Sequence, residues 1–113
     1  MHEMAVTESI IGICLKHAEA NDATCIRKVN IVLGELAGIV DQCVTFYWDM
    51  LAKDTIAEGA EVEFTRIEVR AVCHECDTEF KVEEFNMVCP SCGSGKTELI
   101  SGREFRVESI EIE

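Results

Sequence analysis

Two pairs of cysteines carry the clearest chemistry in this sequence. Cys73 and Cys76 form one Cys-x-x-Cys pair, and Cys89 and Cys92 form a second pair after a spacer of twelve residues. A tight turn brings the two thiols of each pair together, and the spacer returns the chain so that the pairs face each other. Four thiolates at this spacing are typical of a tetrahedral zinc site. The sequence therefore predicts a structural Zn²⁺ site on these four cysteines.

The segment that carries these cysteines, residues 72–101, also needs a metal because of its size. Segments below roughly 40 residues rarely bury enough apolar surface to fold alone. Closure of four thiolates on Zn²⁺ can supply roughly 10–16 kcal/mol of apparent folding free energy. The alternatives are two disulfides, four unligated thiols, or a red iron centre of the rubredoxin kind that would serve electron transfer.

Catalysis is not expected from this chain. Four cysteine ligands saturate a tetrahedral metal, so no position stays open for a substrate water. The spacing of the other residues provides no Ser/His/Asp or Cys/His arrangement. We therefore predict that the protein is not an enzyme.

The composition is typical of a globular protein in a reducing compartment. The 113 residues are 48% hydrophobic and 28% charged, enough for one ordinary domain or two small ones. Cys14, Cys25 and Cys43 lie in apolar patterns, where we expect buried free thiols. Reduced cysteines predict a cytoplasmic location. No apolar run approaches the roughly 18 residues of a membrane span, and no basic and apolar leader starts the chain, so no membrane association is expected.

The net charge is −12, and the acidic excess is spread along the chain. Binding to nucleic acid depends on clusters of Lys and Arg, and this sequence has none. We therefore predict no nucleic-acid partner. An acidic surface favours proteins or metal ions as partners.

Two helices and three longer strands are expected around the zinc segment. Residues 5–21 and 41–53 carry apolar side chains at helical spacing, and the second helix is predicted to bury a broad face that includes Phe46 and Met50. The aromatic run at residues 46–48 is interpreted as core and helix-edge packing rather than a binding platform. Alternating patterns predict strands at residues 25–33, 61–71 and 103–113.

The alternation slips by one residue in two of these strands. A slip of this kind moves the apolar side chains to the opposite face of a strand. The even-numbered Val62 and Phe64 precede the odd-numbered Ile67 and Val69 in one strand, and Phe105 and Val107 precede Ile110 and Ile112 in the other. Matched slips indicate paired strands that leave one module for another. We therefore predict an α+β domain from residues 1–70 plus 102–113, with a zinc ribbon inserted at residues 71–101.

The first three residues, Met1, His2 and Glu3, could bind a metal of a different kind. If Met1 is retained, its α-amine, the backbone and Nδ1 nitrogens of His2, and the amide nitrogen of Glu3 can complete a four-nitrogen plane. Deprotonated amides and imidazole in a square plane suit Ni²⁺ or Cu²⁺ and not Zn²⁺. The Glu3 carboxylate could support this site from outside the plane or orient His2. An early histidine is common in proteins, so this pattern is informative only in combination with others.

The combination of motifs resembles the HypA family of nickel metallochaperones for hydrogenase maturation. The resemblance covers the whole chain in order. It rests on Met1-His2-Glu3, on residues 32–38 (Val-Leu-Gly-Glu-Leu-Ala-Gly), on residues 56–60 (Ile-Ala-Glu-Gly-Ala), and on the four spaced cysteines.

The resemblance implies a fold, two metal sites and a set of partners. The implied fold is α+β, with two helices on one face of a three-stranded sheet and an inserted four-cysteine zinc ribbon. The implied nickel ligands are the Met1 amine, the His2 side chain and amide, and the Glu3 amide, while zinc falls on the four cysteines. The implied function is transfer of Ni²⁺ to the [NiFe]-hydrogenase large-subunit precursor, in concert with a maturation GTPase (HypB). Some relatives also serve urease maturation.

One departure from the family pattern concerns histidines beside the zinc cysteines. Some family members keep several there, whereas this chain has only His74, inside the first pair. We interpret His74 as an exposed turn residue.

The alternative function is a zinc-ribbon module for protein interaction without nickel transfer, which would share every feature except the N-terminal one.

Overall fold

Two three-stranded sheets and two helices make up the regular structure of residues 3–113, the part of the chain that a computed structural model describes. The helices are α1 (Glu3–Ala20) and α2 (Asp41–Leu51). The strands are β1 (Ile26–Gly34), β2 (Glu61–Ile67), β3 (Arg70–Cys73), β4 (Glu79–Lys81), β5 (Thr97–Ser101) and β6 (Phe105–Ile112). The predicted α+β fold, with two helices on one face of a three-stranded sheet and an inserted four-cysteine ribbon, is confirmed.

Helix α1 buries one stripe, because its apolar residues recur at intervals of three and four positions. Its buried side chains are Val6, Thr7, Ile10, Ile11, Cys14 and Ala18. Cys14 is buried on this stripe, whereas the adjacent Ile13 is exposed. The helix ends where the Asn21 side-chain amide donates to the His17 carbonyl, at 2.8 Å, which satisfies a carbonyl left free at the C-terminal turn.

Helix α2 is anchored by Trp48. This side chain is fully buried, and its indole N–H donates to the carbonyl of Ala57 at 3.2 Å. Phe46 and Met50 are 65% and 51% exposed, so the predicted broad buried face is wrong for these two residues. The helix is also short and buries only Val44 and Trp48 fully, so the buried stripe is narrower than the apolar composition suggests.

The first sheet has the strand order β2-β1-β6. Its central strand, β1, buries Val29, Ile31 and Leu33, as the alternating pattern predicts. Burial in β2 alternates up to Thr65 and then slips by one position at Arg66, and β6 slips in the same way at Ser109. Both predicted phase slips are therefore confirmed.

The second sheet is antiparallel, with the order β4-β3-β5. Sequence predicts one continuous strand over residues 61–71, but the chain divides after Ile67 and resumes at Arg70, so that β2 and β3 lie in different sheets. Ala71 pairs with Phe80 on one side and with Leu99 on the other. The buried core of this sheet is small and includes two cysteines: it consists of Ala71, Cys73, Phe80 and Cys89.

The chain divides into two compact units. One comprises the residues up to Val32 together with Gly38–Thr65 and Arg106–Glu113, and the other comprises Leu33–Ala37 and Arg66–Phe105. The second unit contains a junction between main-chain segments, where the Gly34 N–H donates to the Glu104 carbonyl at 2.7 Å. A Cβ atom at Gly34 would lie 2.2 Å from the carbonyl oxygen of Gly102, so only glycine fits there. The predicted division into residues 1–70 plus 102–113 and residues 71–101 stays a prediction.

Candidate metal centre

The first cysteine pair lies on a turn between β3 and β4. The Cys73 N–H donates to the Thr78 carbonyl at 2.9 Å, and the Asp77 N–H donates to the Cys73 carbonyl at 2.8 Å. The Glu75 N–H also points at the Cys73 sulfur, at 3.4 Å. This turn presents the Cys73 and Cys76 side chains on the same side of the chain.

The second pair repeats this backbone pattern. The Cys89 N–H donates to the Ser94 carbonyl and the Gly93 N–H donates to the Cys89 carbonyl, both at 2.9 Å. The fourth position after the first cysteine is left-handed in each turn, with φ of 60° at Asp77 and 76° at Gly93. Glycine, asparagine and aspartate adopt this conformation with the least strain. The two turns are therefore equivalent in geometry although their sequences differ.

The four sulfurs converge as a tetrahedral ion requires. The Sγ atoms of Cys73 and Cys92 lie 3.6 Å apart, as do those of Cys76 and Cys89, and all four lie within 4.8 Å of one another. Four bonds of about 2.3 Å to a tetrahedral Zn²⁺ place the sulfurs about 3.8 Å apart. A disulfide needs about 2.05 Å, so the four side chains fit a metal and not the disulfide alternative.

Burial divides each pair in the same way. The first cysteines, Cys73 and Cys89, are buried in the core of the second sheet, whereas Cys76 and Cys92 are exposed. One side of the cluster is therefore fixed by packing and the other faces solvent. An ion here would link the small core to the two turns at its surface.

Electrostatics within the cluster favour a bound cation. Hydrogen bonding to Thr78, whose hydroxyl lies 3.1 Å from the sulfur, lowers the pKa of Cys76 to about 6. A backbone hydrogen bond from Ser94 lowers the pKa of Cys92, but the neighbouring thiols and desolvation together raise it to about 12. Four thiolates this close repel one another, so their full ionisation needs a positive ion between them.

The polar and charged side chains around the cluster contact one another at the surface. His74 Nε2 lies 3.0 Å from a Glu98 carboxylate oxygen, and Lys96 Nζ lies 3.2 Å from a carboxylate oxygen of Glu75. All four are exposed, so each pair contributes about 0–1 kcal/mol to stability. His74 is an exposed turn residue, as predicted, and does not join the group of four sulfurs.

The predicted nickel ligands Met1 and His2 lie outside the described residues. Glu3 is described, and it is the first residue of α1. Its carbonyl accepts a 2.6 Å hydrogen bond from the hydroxyl of Thr7, which is fully buried. Thr7 thus ties the start of the helix to the core. No role for Thr7 was predicted from the sequence. Its position next to the apolar stripe of α1 could have indicated a buried hydroxyl.

The other cysteines show no metal geometry within residues 3–113, where the four-sulfur cluster is the only group of three or more metal-binding side chains. Cys14 is buried as predicted, and burial raises the pKa of its thiol to about 11. Cys25 and Cys43 are only half-buried, which corrects the prediction of full burial.

Across residues 3–113, neither helix has the length and apolar character of a membrane span.

Comparison with known proteins relates the chain to one family along its whole length. Residues 1–112 match the family model described as hydrogenase/urease nickel incorporation, metallochaperone, hypA. The chain is 40% identical to the hydrogenase maturation factor HypA of Caldanaerobacter subterraneus subsp. tengcongensis, with 100% of both chains covered. It is 39% identical to that of Dehalococcoides mccartyi, covering 100% of this chain and 95% of the relative. The solution structure of the Ni metallochaperone HypA from Helicobacter pylori is similar, with a TM-score of 0.68 and 26% identity over 99% of this chain and 97% of that one.

Proposed function

This chain belongs to the HypA family of nickel metallochaperones, and from that premise we propose that it delivers Ni²⁺ to the large-subunit precursor of a [NiFe]-hydrogenase. The match of residues 1–112 to a nickel-incorporation family carries the proposal. The family consists of metallochaperones and not of enzymes, in agreement with the prediction against catalysis.

We propose Zn²⁺ as the resident ion of the cluster formed by Cys73, Cys76, Cys89 and Cys92. The convergence of four sulfurs within 4.8 Å supports this assignment, because a closed set of thiolates suits a structural zinc ion. When bound, Zn²⁺ supplies a four-way cross-link with no open coordination position. Its role is to hold residues 71–101 as a folded ribbon.

We propose that Ni²⁺ binds as cargo at the amine of Met1, the side chain and amide of His2, and the amide of Glu3. The position of Glu3 at the start of α1 supports this assignment. Amide N–H groups in the first turn of a helix have no carbonyl partner within the helix, so the Glu3 amide can release its proton to solvent and bind the metal through its nitrogen. The positive end of the helix dipole also favours negative charge at such nitrogens.

Release follows from the same chemistry. Protonation of the amine and the amides removes nitrogen lone pairs from the ion, so a partner that supplies protons or competing ligands can take it. We propose that the receiver is the hydrogenase precursor in the cytoplasm, with the maturation GTPase HypB acting in concert. The description of the family also names urease as a destination of nickel. Residues 1–70 plus 102–113 would form the nickel domain and residues 71–101 the zinc domain.

Titration of Ni²⁺ into three zinc-loaded proteins tests the nickel site. The proteins are the native chain, His2→Ala, and a chain with one glycine added before Met1, which keeps every side chain but moves the amine. Tight binding by the native chain alone is expected, with the absorption of square-planar Ni²⁺. Equal binding by all three would overturn the site and leave a zinc-ribbon interaction module. Zinc content and colour are read from the same samples, because a ferric tetrathiolate is red and a zinc site is colourless.

A further inference from the structure

An apolar cavity of about 450 Å³ lies within the compact unit that contains the ribbon. Val82, Met87 and Leu99 supply apolar lining, and the aromatic side chain of Phe85 stands at its edge. Glu35, Glu84 and Arg103 are the charged residues that line it. The cavity is separate from the four sulfurs, and neither metal site uses it.

The floor of this cavity is held by the core of the second sheet. Val82 and Met87 pack against the buried cluster that contains Cys73 and Cys89. The Val82 N–H also donates to the Val69 carbonyl at 2.8 Å, and the Met87 carbonyl accepts a 2.5 Å hydrogen bond from a threonine hydroxyl in β5. The cavity is therefore a preformed feature of the folded ribbon, which lowers the ordering entropy that a ligand must overcome.

The loop beside the cavity holds a large aromatic side chain in solvent. Phe85 is 83% exposed, although it is one of the most apolar residues of the unit. Glu84 and Phe85 are both left-handed, with φ of 53° and 61°, and residues with a Cβ atom rarely adopt this conformation twice in succession. Strained backbone and exposed apolar side chains are both enriched at binding sites.

The charged rim of the cavity has no partner within residues 3–113, because the side chains of Glu35, Glu84 and Arg103 make no hydrogen bond or ion pair there. The two lysines of the ribbon are already engaged: Lys81 pairs with Glu68, and Lys96 pairs with Glu75. The rim thus carries two free carboxylates against one guanidinium. A ligand that complements it carries positive charge.

We propose that the cavity and Phe85 form a docking surface for a protein segment in which an apolar side chain is flanked by lysines or arginines. The apolar side chain enters the cavity and contacts Val82, Met87 and Phe85. The flanking cations pair with Glu35 and Glu84, while Arg103 donates to main-chain carbonyls of the segment. This surface goes beyond nickel carriage and does not require a metal at the N-terminus.

A short basic peptide tests the surface directly. ¹⁵N-labelled, zinc-loaded protein is titrated with acetyl-Lys-Leu-Lys-Leu-Lys amide, and with acetyl-Glu-Leu-Glu-Leu-Glu amide as the charge-reversed control. Amide shifts are expected with the basic peptide only, and they should concentrate at Leu36, Val82, Phe85 and Leu99. A uniform response along the chain, or equal binding of the acidic peptide, would overturn the proposal.

Variants separate recognition from folding. Phe85→Ser is expected to weaken binding by about tenfold or more, because an aromatic anchor dominates a small interface. The matched control is Phe46→Ser, which removes an exposed phenylalanine from the other unit and should change the affinity by less than about twofold. The double change Glu35→Gln and Glu84→Gln should weaken binding about three- to tenfold and reduce its salt dependence. Native affinity in Phe85→Ser, with zinc content unchanged, would refute the role of this surface.

Discussion

Replacement of Gly34 by alanine should destabilise the protein far more than the addition of one methyl group suggests. The added Cβ would lie 2.2 Å from the Gly102 carbonyl oxygen, 2.3 Å from its carbonyl carbon and 2.7 Å from the Arg103 nitrogen. All three are main-chain atoms, so no side chain can rotate away to relieve the overlap. The two segments must separate.

The expected loss of stability follows from the main-chain hydrogen bonds that this separation breaks and from the strain that remains. The Gly34 N–H bond to Glu104 and the Leu36 N–H bond to Gly102 are both 2.7 Å long, and each contributes about 0.5–1.5 kcal/mol. Residual overpacking adds about 1–3 kcal/mol of strain. The free energy of unfolding should therefore fall by about 2–6 kcal/mol. At about 3–5 °C per kcal/mol for a chain of this length, we expect Tm to fall by about 6–30 °C.

Thermal unfolding followed by circular dichroism, with zinc-loaded protein, measures this fall. Gly12→Ala is the matched control, since its Cβ meets nothing within 4 Å and alanine is the better helix former by about 1 kcal/mol. That variant should raise Tm by a few degrees. A Gly34→Ala protein that melts within about 3 °C of the native protein would show that the junction tolerates a side chain, and the argument from close main-chain approach would be refuted.

Three further predictions concern the metals and a buried thiol. Thr7→Val removes the hydroxyl that bonds the Glu3 carbonyl, so it should weaken Ni²⁺ binding about threefold or more at unchanged zinc content. Thr7→Ser keeps a hydroxyl at this position and should bind Ni²⁺ as the native protein does. Equal titration curves for the native and Thr7→Val proteins would contradict this prediction. Because burial raises the pKa of Cys14 from 9.0 to about 11, the thiol contributes to the free energy of unfolding below pH 9.0, and this contribution should be lost as the pH rises to about 11. In denaturant unfolding, the free energy of unfolding should therefore fall more steeply above pH 9.0 for the native protein than for Cys14→Ala. Removal of zinc by a chelator should collapse the ¹H–¹⁵N signals of Ala71 and Phe80 while those of Val44 and Trp48 keep their dispersion, and retention of all four would show that the ribbon folds without metal.

The sequence predicts well those parts of the fold in which the spacing of residues along the chain directly determines the local backbone structure. The Cys-x-x-Cys pairs predict tight turns, because two cysteines three positions apart can bind the same ion only if the chain turns between them. The slips in β2 and β6 were visible because side chains alternate with a strict period of two along a strand. The position of the break between β2 and β3 was less accurate, since a change of sheet leaves no signal stronger than the slip itself.

The parts that sequence could not predict depend on contacts between distant residues. The aromatic run in α2 contains Phe46 and Trp48, and hydropathy alone does not say which one enters the core. The buried indole N–H of Trp48 is satisfied by the Ala57 carbonyl, which lies outside the helix and is not evident from the helical pattern. The left-handed residues Glu84 and Phe85 carry no glycine or asparagine signal, so the exposed aromatic next to the cavity emerged only from the structure.

The strand order of the first sheet also sets a sequence of events during synthesis. β1 lies between β2 and β6, and β6 follows the whole ribbon along the chain. A ribosome releases β3, β4, β5 and all four cysteines before it releases β6, so the ribbon can close on its ion while one edge of β1 is still unpaired. An unpaired edge attracts other strands. In cells short of zinc, the ribbon would stay unfolded during the same interval in which β1 has an unpaired edge, so newly made chains should aggregate more than chains that have bound zinc.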